Sequence, residues 1–507
     1  MPRVAVAPPP GVVRDATPSA TPGRWWDANL MRWVGNVLQP VGGWRAVGSA
    51  VFPTAVREML TWRDNSGERW AAVGCDDGSA WAYSFALDTA YPLLATAFPP
   101  LEKPGQATGY GIGTYGSDVY GLDRASQATD DGERNFGDWW TFASWGEDLL
   151  FVCTTNGKLW RWSPATPETP AAIVSNAPID NRGVLVTSQR HVVLLGAGGD
   201  PRSVKWCSQE DPTDWTPSPT NTAGGYQVET KGLLVCGANT REGVLLLTDT
   251  DAHLMRYLGA PYVYSINKVG DACGPIGPRA VVATAAITMW MGIEGFFVWN
   301  GQPTPLPCDV QDYVFGGMNP DISPLSFGSS ISTFREIWFF YPDEAALDCS
   351  RYVVWNYAEN WWSIGKLART AADPSGSIDR PIFGASDGRL YAHEQGWLDN
   401  EASRIGQVYA ETGTMTLGEG DRIGHVMGVV PDLRSDLGAA AFRFFASYEA
   451  NGPETEHGPF DGVTRGDGLI TGPRFSARNV RMRVEAMRDA PIRVGRTRLE
   501  IVPGGRR

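Results

Sequence analysis

Apolar and polar residues alternate at a period of two along much of this chain, and the clearest runs each enter through a turn built on Gly. The runs are DDGSAWAYSF from Asp76 to Phe85, TNGKLWRWS from Thr155 to Ser163, IEGFFVWNG from Ile293 to Gly301 and SDGRLYAHE from Ser386 to Glu394. A period of two places every second side chain on one face of a sheet, and here aromatic residues occupy that face. The glycines Gly78, Gly157, Gly295 and Gly388 are expected to supply the positive φ of a hairpin turn. The chain therefore reads as repeated β-hairpins.

Steps of 79, 138 and 93 residues between these glycines lie close to two, three and two times one unit. That unit would be about 40–46 residues, the length of a four-stranded propeller blade. Weaker copies at Gly116 (GSDVYGLD), Arg202 (RSVKWCS), Asp251 (DAHLMRY) and Ser350 (SRYVVWNY) fill the gaps. The pattern predicts an all-β fold, a β-propeller of about six to eight blades, followed by a C-terminal β-sandwich-like domain. The boundaries expected are an extended arm over 1–24, rich in Pro, Ala and Thr, a propeller over 25–404 and a β domain over 405–507. Some other all-β arrangement is the alternative, because turns recur in any such chain.

Composition narrows the class. The 59 Gly, 37 Pro and 21 Trp among 507 residues suit many short strands joined by turns. The longest apolar stretch, Ala280 to Ile293, is too short for a membrane-spanning helix. No signal peptide is apparent at the start. Seven cysteines without a C-x-x-C pair are expected as buried free thiols. The net charge of −13 divides unevenly: residues 474–507 carry ten Arg and three acids, leaving −20 on the remainder. An acidic body is a poor ligand for phosphate backbones.

Two apparent catalytic motifs fail on context. Gly111-Ile-Gly113-Thr-Tyr-Gly116 fits G-x-G-x-x-G, but a strand-like run follows where a helix must open. Gly384 to Gly388 fits G-x-S-x-G, yet Arg389 to His393 continues as a strand, so this is a hairpin turn. The five histidines are His191, His253, His393, His425 and His457; the first two sit among apolar strand residues and read as structural. The run Asp130-Asp131-Gly132-Glu133, with Asn135 and Asp138, misses the ligand spacing of a calcium loop and reads as a solvated turn. The pairs Trp25-Trp26, Trp139-Trp140 and Trp361-Trp362 are either packing between blades or stacking platforms for sugars. No cofactor or metal is expected.

Near the C-terminus, Val480, Met482, Val484, Leu499 and Ile501 alternate with Arg481, Arg483, Glu485, Arg496, Arg498 and Glu500. This predicts a half-buried sheet whose outer face carries Arg481, Arg483, Arg496 and Arg498, expected to dock on a subunit or partner, with a solubilising charged surface as the alternative.

Taken in order, several phrases resemble the tail nozzle, also called tail hub or phage stabilisation protein, of short-tailed bacteriophages. They are NLMRWVGNVLQPVGGWRAVG, GDWWTFASWGEDLLFVCTTNGKLWRW, KVGDACGPIGPRAVVATAAITMWMGIEGFFVWNGQ, VVWNYAENWWSIG and VRMRVEAMRDAPIRVGRTRLEI, and the resemblance spans Trp25 to Val502. It implies a structural virion protein, made in the host cytoplasm and assembled as a homohexameric ring at the distal end of the tail. Partners would be a tail adaptor or tube protein and a tail fibre or needle. DNA would pass through without specific binding, and the family has no active site to carry over. The rival expectations are a propeller glycosidase of sialidase or depolymerase type, whose Ser-x-Asp-x-Gly phrase is echoed only by SQEDPTDW, and a carbohydrate-binding adhesion propeller.

Overall fold

The computed structural model describes residues 3–17, 21, 23–105, 134–373, 380–417, 422–435, 439–449, 452–463, 468–470 and 472–505. Seven four-stranded antiparallel sheets form the blades of a β-propeller. Blade 1 spans residues 56–92, blade 2 140–173, blade 3 183–227, blade 4 234–270, blade 5 281–306 and blade 6 327–366. Blade 7 takes three strands from 371–393 and its outer strand, Trp44–Ala46, from the other end of the chain. The innermost strands touch in cyclic order, with Ala371–Ala372 of blade 7 against Val56–Arg63 of blade 1, so the ring is closed. Seven blades fall within the range read from the sequence.

Each blade buries both faces against its neighbours, which explains the near-continuous apolar runs in the middle strands. Asp148–Cys153 is buried throughout. Trp62, Trp70, Trp140, Phe151 and Trp162 share the cluster between blades 1 and 2, where Trp62 and Trp162 meet edge to face at 6.3 Å. The indole of Trp140 donates to Cys75 O (3.1 Å) and that of Trp62 to Glu147 O (2.8 Å), so the rings also cross-link adjacent blades. Trp139, Trp140, Trp361 and Trp362 are all buried, and packing accounts for both pairs. All seven cysteines are buried with free thiols.

The four repeat glycines occupy one equivalent position, the turn between the second and third strands of blades 1, 2, 5 and 7. The weaker copies at Arg202, Asp251 and Ser350 mark the third strands of blades 3, 4 and 6. Gly78, Gly157 and Gly388 have φ of 80°, 65° and 72°. Their carbonyls accept from Phe98 N (3.0 Å), Asn181 N (2.8 Å) and Phe52 N (2.7 Å), which lie on the segment leading out of the same blade. A turn glycine therefore anchors each of these crossovers. Gly295 departs from expectation: its φ is outside the left-handed region, and Gln311 Nε2 ties the neighbouring Glu294 O (2.8 Å) by a side chain instead. A second correction concerns the repeat count, because Gly78 and Gly157 lie in consecutive blades rather than two units apart. The copy at Gly116 and the G-x-G-x-x-G phrase lie outside the described residues.

The remaining strands form a β-sandwich-like body of three sheets. One orders Arg3–Val6, Thr497–Pro503, Gly424–Val430 and Phe475–Ala477. Another orders Trp25–Asn29, Tyr409–Thr412, Asn479–Ala486, Ala440–Ser447 and Thr455–Asp461, and the third joins Met31–Val34 and Val37–Pro40 to Ile492–Val494 and Leu433–Ser435. The segment expected as an extended arm thus supplies a paired strand, and residues 25–40, expected within the propeller, pair with the C-terminal strands. Partners so remote in sequence leave no local signal. Val480, Met482, Val484, Leu499 and Ile501 are buried as the alternation predicts. One hydrophobic core runs from blades 5, 6 and 7 into this body.

Charge reinforces that junction. Arg32, on the N-terminal strand Met31–Val34, donates from Nη2 to Glu336 of blade 6 (3.0 Å) and to Glu394 at the end of blade 7 (2.7 Å). Arg404 donates to the carbonyls of Val41 (2.9 Å), Gly42 (3.2 Å) and Trp397 (2.8 Å). Burial pushes the Glu336 carboxyl up to about 6 even against the pull of Arg32.

Candidate functional site

The four arginines expected on one outer face lie on two sheets. Arg481 and Arg483 belong to the strand Asn479–Ala486, whereas Arg498 is in Thr497–Pro503 and Arg496 just precedes it. Arg481 pairs with Glu411 and Glu454 and lies over the Phe445 ring at 5.0 Å. Arg483 stacks 3.6 Å above Tyr409 and sits 3.7 Å from Glu485. These two are spent within the chain. The alternation correctly put them opposite the apolar residues, but not on a bare surface, because flanking strands bring carboxylates over them. Arg496 and Arg498 are exposed.

The histidines are built into the fold. His191 Nδ1 faces the Tyr264 hydroxyl (2.9 Å), and burial lowers its pKa. His393 is stacked on Trp44 (5.2 Å), lies 4.2 Å from the Phe383 ring and accepts from Arg369 Nε (3.0 Å). Burial first, then Arg369, holds it neutral. Burial also lowers His253, while His425 Nδ1 meets Ser476 Oγ (2.6 Å) and His457 stacks on Phe475. Of the acidic run, residues 130–133 lie outside the described residues. Asn135 accepts from Gly137 N (2.8 Å), and Asp138 accepts from Thr154 Oγ1 (2.7 Å) and Glu102 N (3.1 Å). Gly384–Gly388 is the turn between two strands of blade 7, as its context predicts.

The propeller axis holds what motif reading missed. A cavity of about 630 Å³ is lined by the inner strands of all seven blades, including Glu58, Phe142, Val184, Asn239, Val281, Phe327 and Ala372. Glu58 and Arg279, both near the starts of inner strands, mark one end. Arg279 Nη1 donates to Arg57 O and to Thr370 O (2.8 Å), and Nη2 to Leu325 O (2.9 Å). Its guanidinium thus ties blades 1, 6 and 7 to blade 5. Glu58 accepts from Met59 N (3.2 Å). Desolvation pushes its carboxyl up to about 7, with Arg279 opposing and Asp373 assisting. A carboxyl placed among the apolar residues of an inner strand was the available signal in VREMLTWR.

No protein-family model and no curated protein matches this chain. Similar solved structures include the β-propeller domain of Myceliophteria thermophila Cps50 (Swd1), at 10% identity and TM-score 0.41, covering 70% of this chain and 99% of that one. The WD40 β-propeller domain of Doa1 matches at 10% identity and TM-score 0.39, over 69% and 97% of the two chains. The computationally designed Ika8 protein matches at 13% identity and TM-score 0.37, over 69% and 100%. Among the described residues, no helix is long and apolar enough to cross a membrane.

Proposed function

We propose that this chain is a structural, ring-forming subunit of the tail nozzle of a short-tailed phage. The observation that carries the reading is the continuous core shared by the propeller and the terminal sheets, closed by Trp44–Ala46 and by the Arg32 cluster. A subunit at the end of a conduit has to transmit force without hinging, and a propeller joined to its second body through buried side chains is suited to that. On this reading the axial cavity, at about 630 Å³, is no path for a duplex, so DNA would run between copies of the subunit. The acidic remainder of the chain would keep phosphates from sticking there. Arg496 and Arg498, exposed on the terminal body, are the candidates for docking on an acidic neighbour.

Electron microscopy of the purified chain tests this. Ring particles, lost in an Arg496→Glu/Arg498→Glu variant that keeps its circular dichroism spectrum, are expected. A strict monomer at high concentration that hydrolyses sialosides or polysaccharides would replace the proposal with the glycosidase reading.

A further inference from the structure

We propose that the axial cavity is a binding well for a small organic cation, a primary ammonium on a short aliphatic chain, with Glu58 as its anionic contact. The shape comes first. The cavity carries Ser188 and Asn239 at one end, runs between apolar walls that include Phe142, Val184 and Val281, and has Glu58 and Arg279 at the other. Its volume of about 630 Å³ is in the range that holds a small organic molecule.

The polar groups at the end decide the class. One oxygen of Glu58 takes the Met59 amide, and among the described residues no donor faces the other. The half-buried carboxylate has Arg279 as a nearby counter-charge but takes no hydrogen bond from it, so a ligand that brings both charge and N–H donors can complete it. Arg279 does not pre-empt this role, because three of its donor contacts go to blade carbonyls and fix it in the wall. Those same bonds make it a poor receptor for an anion. Asp373 of blade 7 adds negative charge nearby, and Arg57 turns away to Asp76 and Asp348. Arg190, at the far end, is held by Glu210, and burial keeps Cys236 a neutral thiol. A methylene chain lies well against the apolar walls between the two ends.

The elevated Glu58 carboxyl gives the site a pH signature. An alkylammonium stays charged up to about pH 10, so only the ionised fraction of Glu58 changes across neutrality. Affinity should therefore rise with pH through about 7.

The test uses the full chain and n-butylammonium, with butyrate and 1-butanol as the anionic and neutral comparators of equal length, followed by calorimetry or ligand-observed NMR. Butylammonium is expected to bind about tenfold or more tighter at pH 8 than at pH 5.5, and better than either comparator. Glu58→Gln, isosteric and free of the burial penalty, should fold and lose that binding by at least about tenfold. Leu60→Trp, which fills part of the well while keeping the carboxyl, should lose it as well. Equal binding by Glu58→Gln would assign the cation to the acidic surface and overturn the proposal. Preference for butyrate or butanol, or a flat pH profile in the unmodified chain, would overturn it too.

Discussion

Gly157→Ala puts the turn anchor to a quantitative test. At φ 65° an added Cβ pays the left-handed penalty of about 1–2 kcal/mol. It would also stand 2.7 Å from Asp180 Cα and 3.1 Å from Asn181 N, both backbone atoms with little freedom to withdraw. Relief requires the crossover to shift, which strains packing by about 1–3 kcal/mol. The shift also loosens the bonds that Asn181 N and Nδ2 make to Gly157 O, each 2.8 Å. The expected loss is about 2–5 kcal/mol. Gly295→Ala is the internal control at the equivalent turn of blade 5. There φ is not left-handed and the nearest atoms are the side-chain tip of Gln311 at 3.7–3.9 Å, so the change should stay below about 0.5 kcal/mol. Urea denaturation followed by tryptophan fluorescence separates the two through the transition midpoint. Equal midpoints for the two variants would refute the idea that backbone closeness, rather than the Gly-turn motif itself, sets the cost.

Three further outcomes are expected. Glu336 has a folded-state value of about 6 against 4.5 when unfolded, because burial outweighs Arg32. Its contribution is therefore fully present below pH 4.5 and lost as pH rises through 6, and Glu336→Gln should flatten that decline, on the order of 1–2 kcal/mol, in a stability series over pH 4–7. Arg481→Ala strips a half-buried arginine from two carboxylates and should cost about 1–3 kcal/mol in thermal melts, whereas Arg498→Ala, exposed, should stay within about 0.5 kcal/mol. Burial pushes the Cys75, Cys153, Cys207 and Cys273 thiols up to about 12, so a thiol reagent at pH 8 should label the native protein slowly and the urea-unfolded protein rapidly.

The repeat was legible because a blade is a local object. Its turn glycines and its alternating third strands, such as Trp160–Trp162 and Leu390–His393, lie within a few residues of each other. The same locality misled where residues separated the units: the 79-residue step from Gly78 to Gly157 spans one blade junction, not two. Pairing of Trp25–Asn29 with Tyr409–Thr412, and of Trp44–Ala46 with Leu390–His393, is decided by contacts that no sequence window contains. The candidate site divides in the same way. Alternation gave the side of the sheet on which Arg481 lies, but Glu411 and Glu454 reach it from other strands. Glu58 becomes distinctive only once seven inner strands surround it.

The closing strand also has a consequence for how the protein is made. Trp44 and its partner Asp399 are 355 residues apart, so the first blade-closing residues leave the ribosome long before anything exists for them to pair with. At about 5–20 residues per second, that interval is on the order of 20–70 s. Throughout it, Trp25, Met31, Trp33, Leu38 and Trp44, all destined for the interior, can meet one another, as Trp33 and Leu38 do across their hairpin, but not the late strands that bury them. Blades 1 to 6 draw all four strands from contiguous chain, but the ring waits for residues 371–393 and the terminal sheets for the last hundred residues. Holdase chaperones should therefore meet the nascent chain chiefly through those first strands.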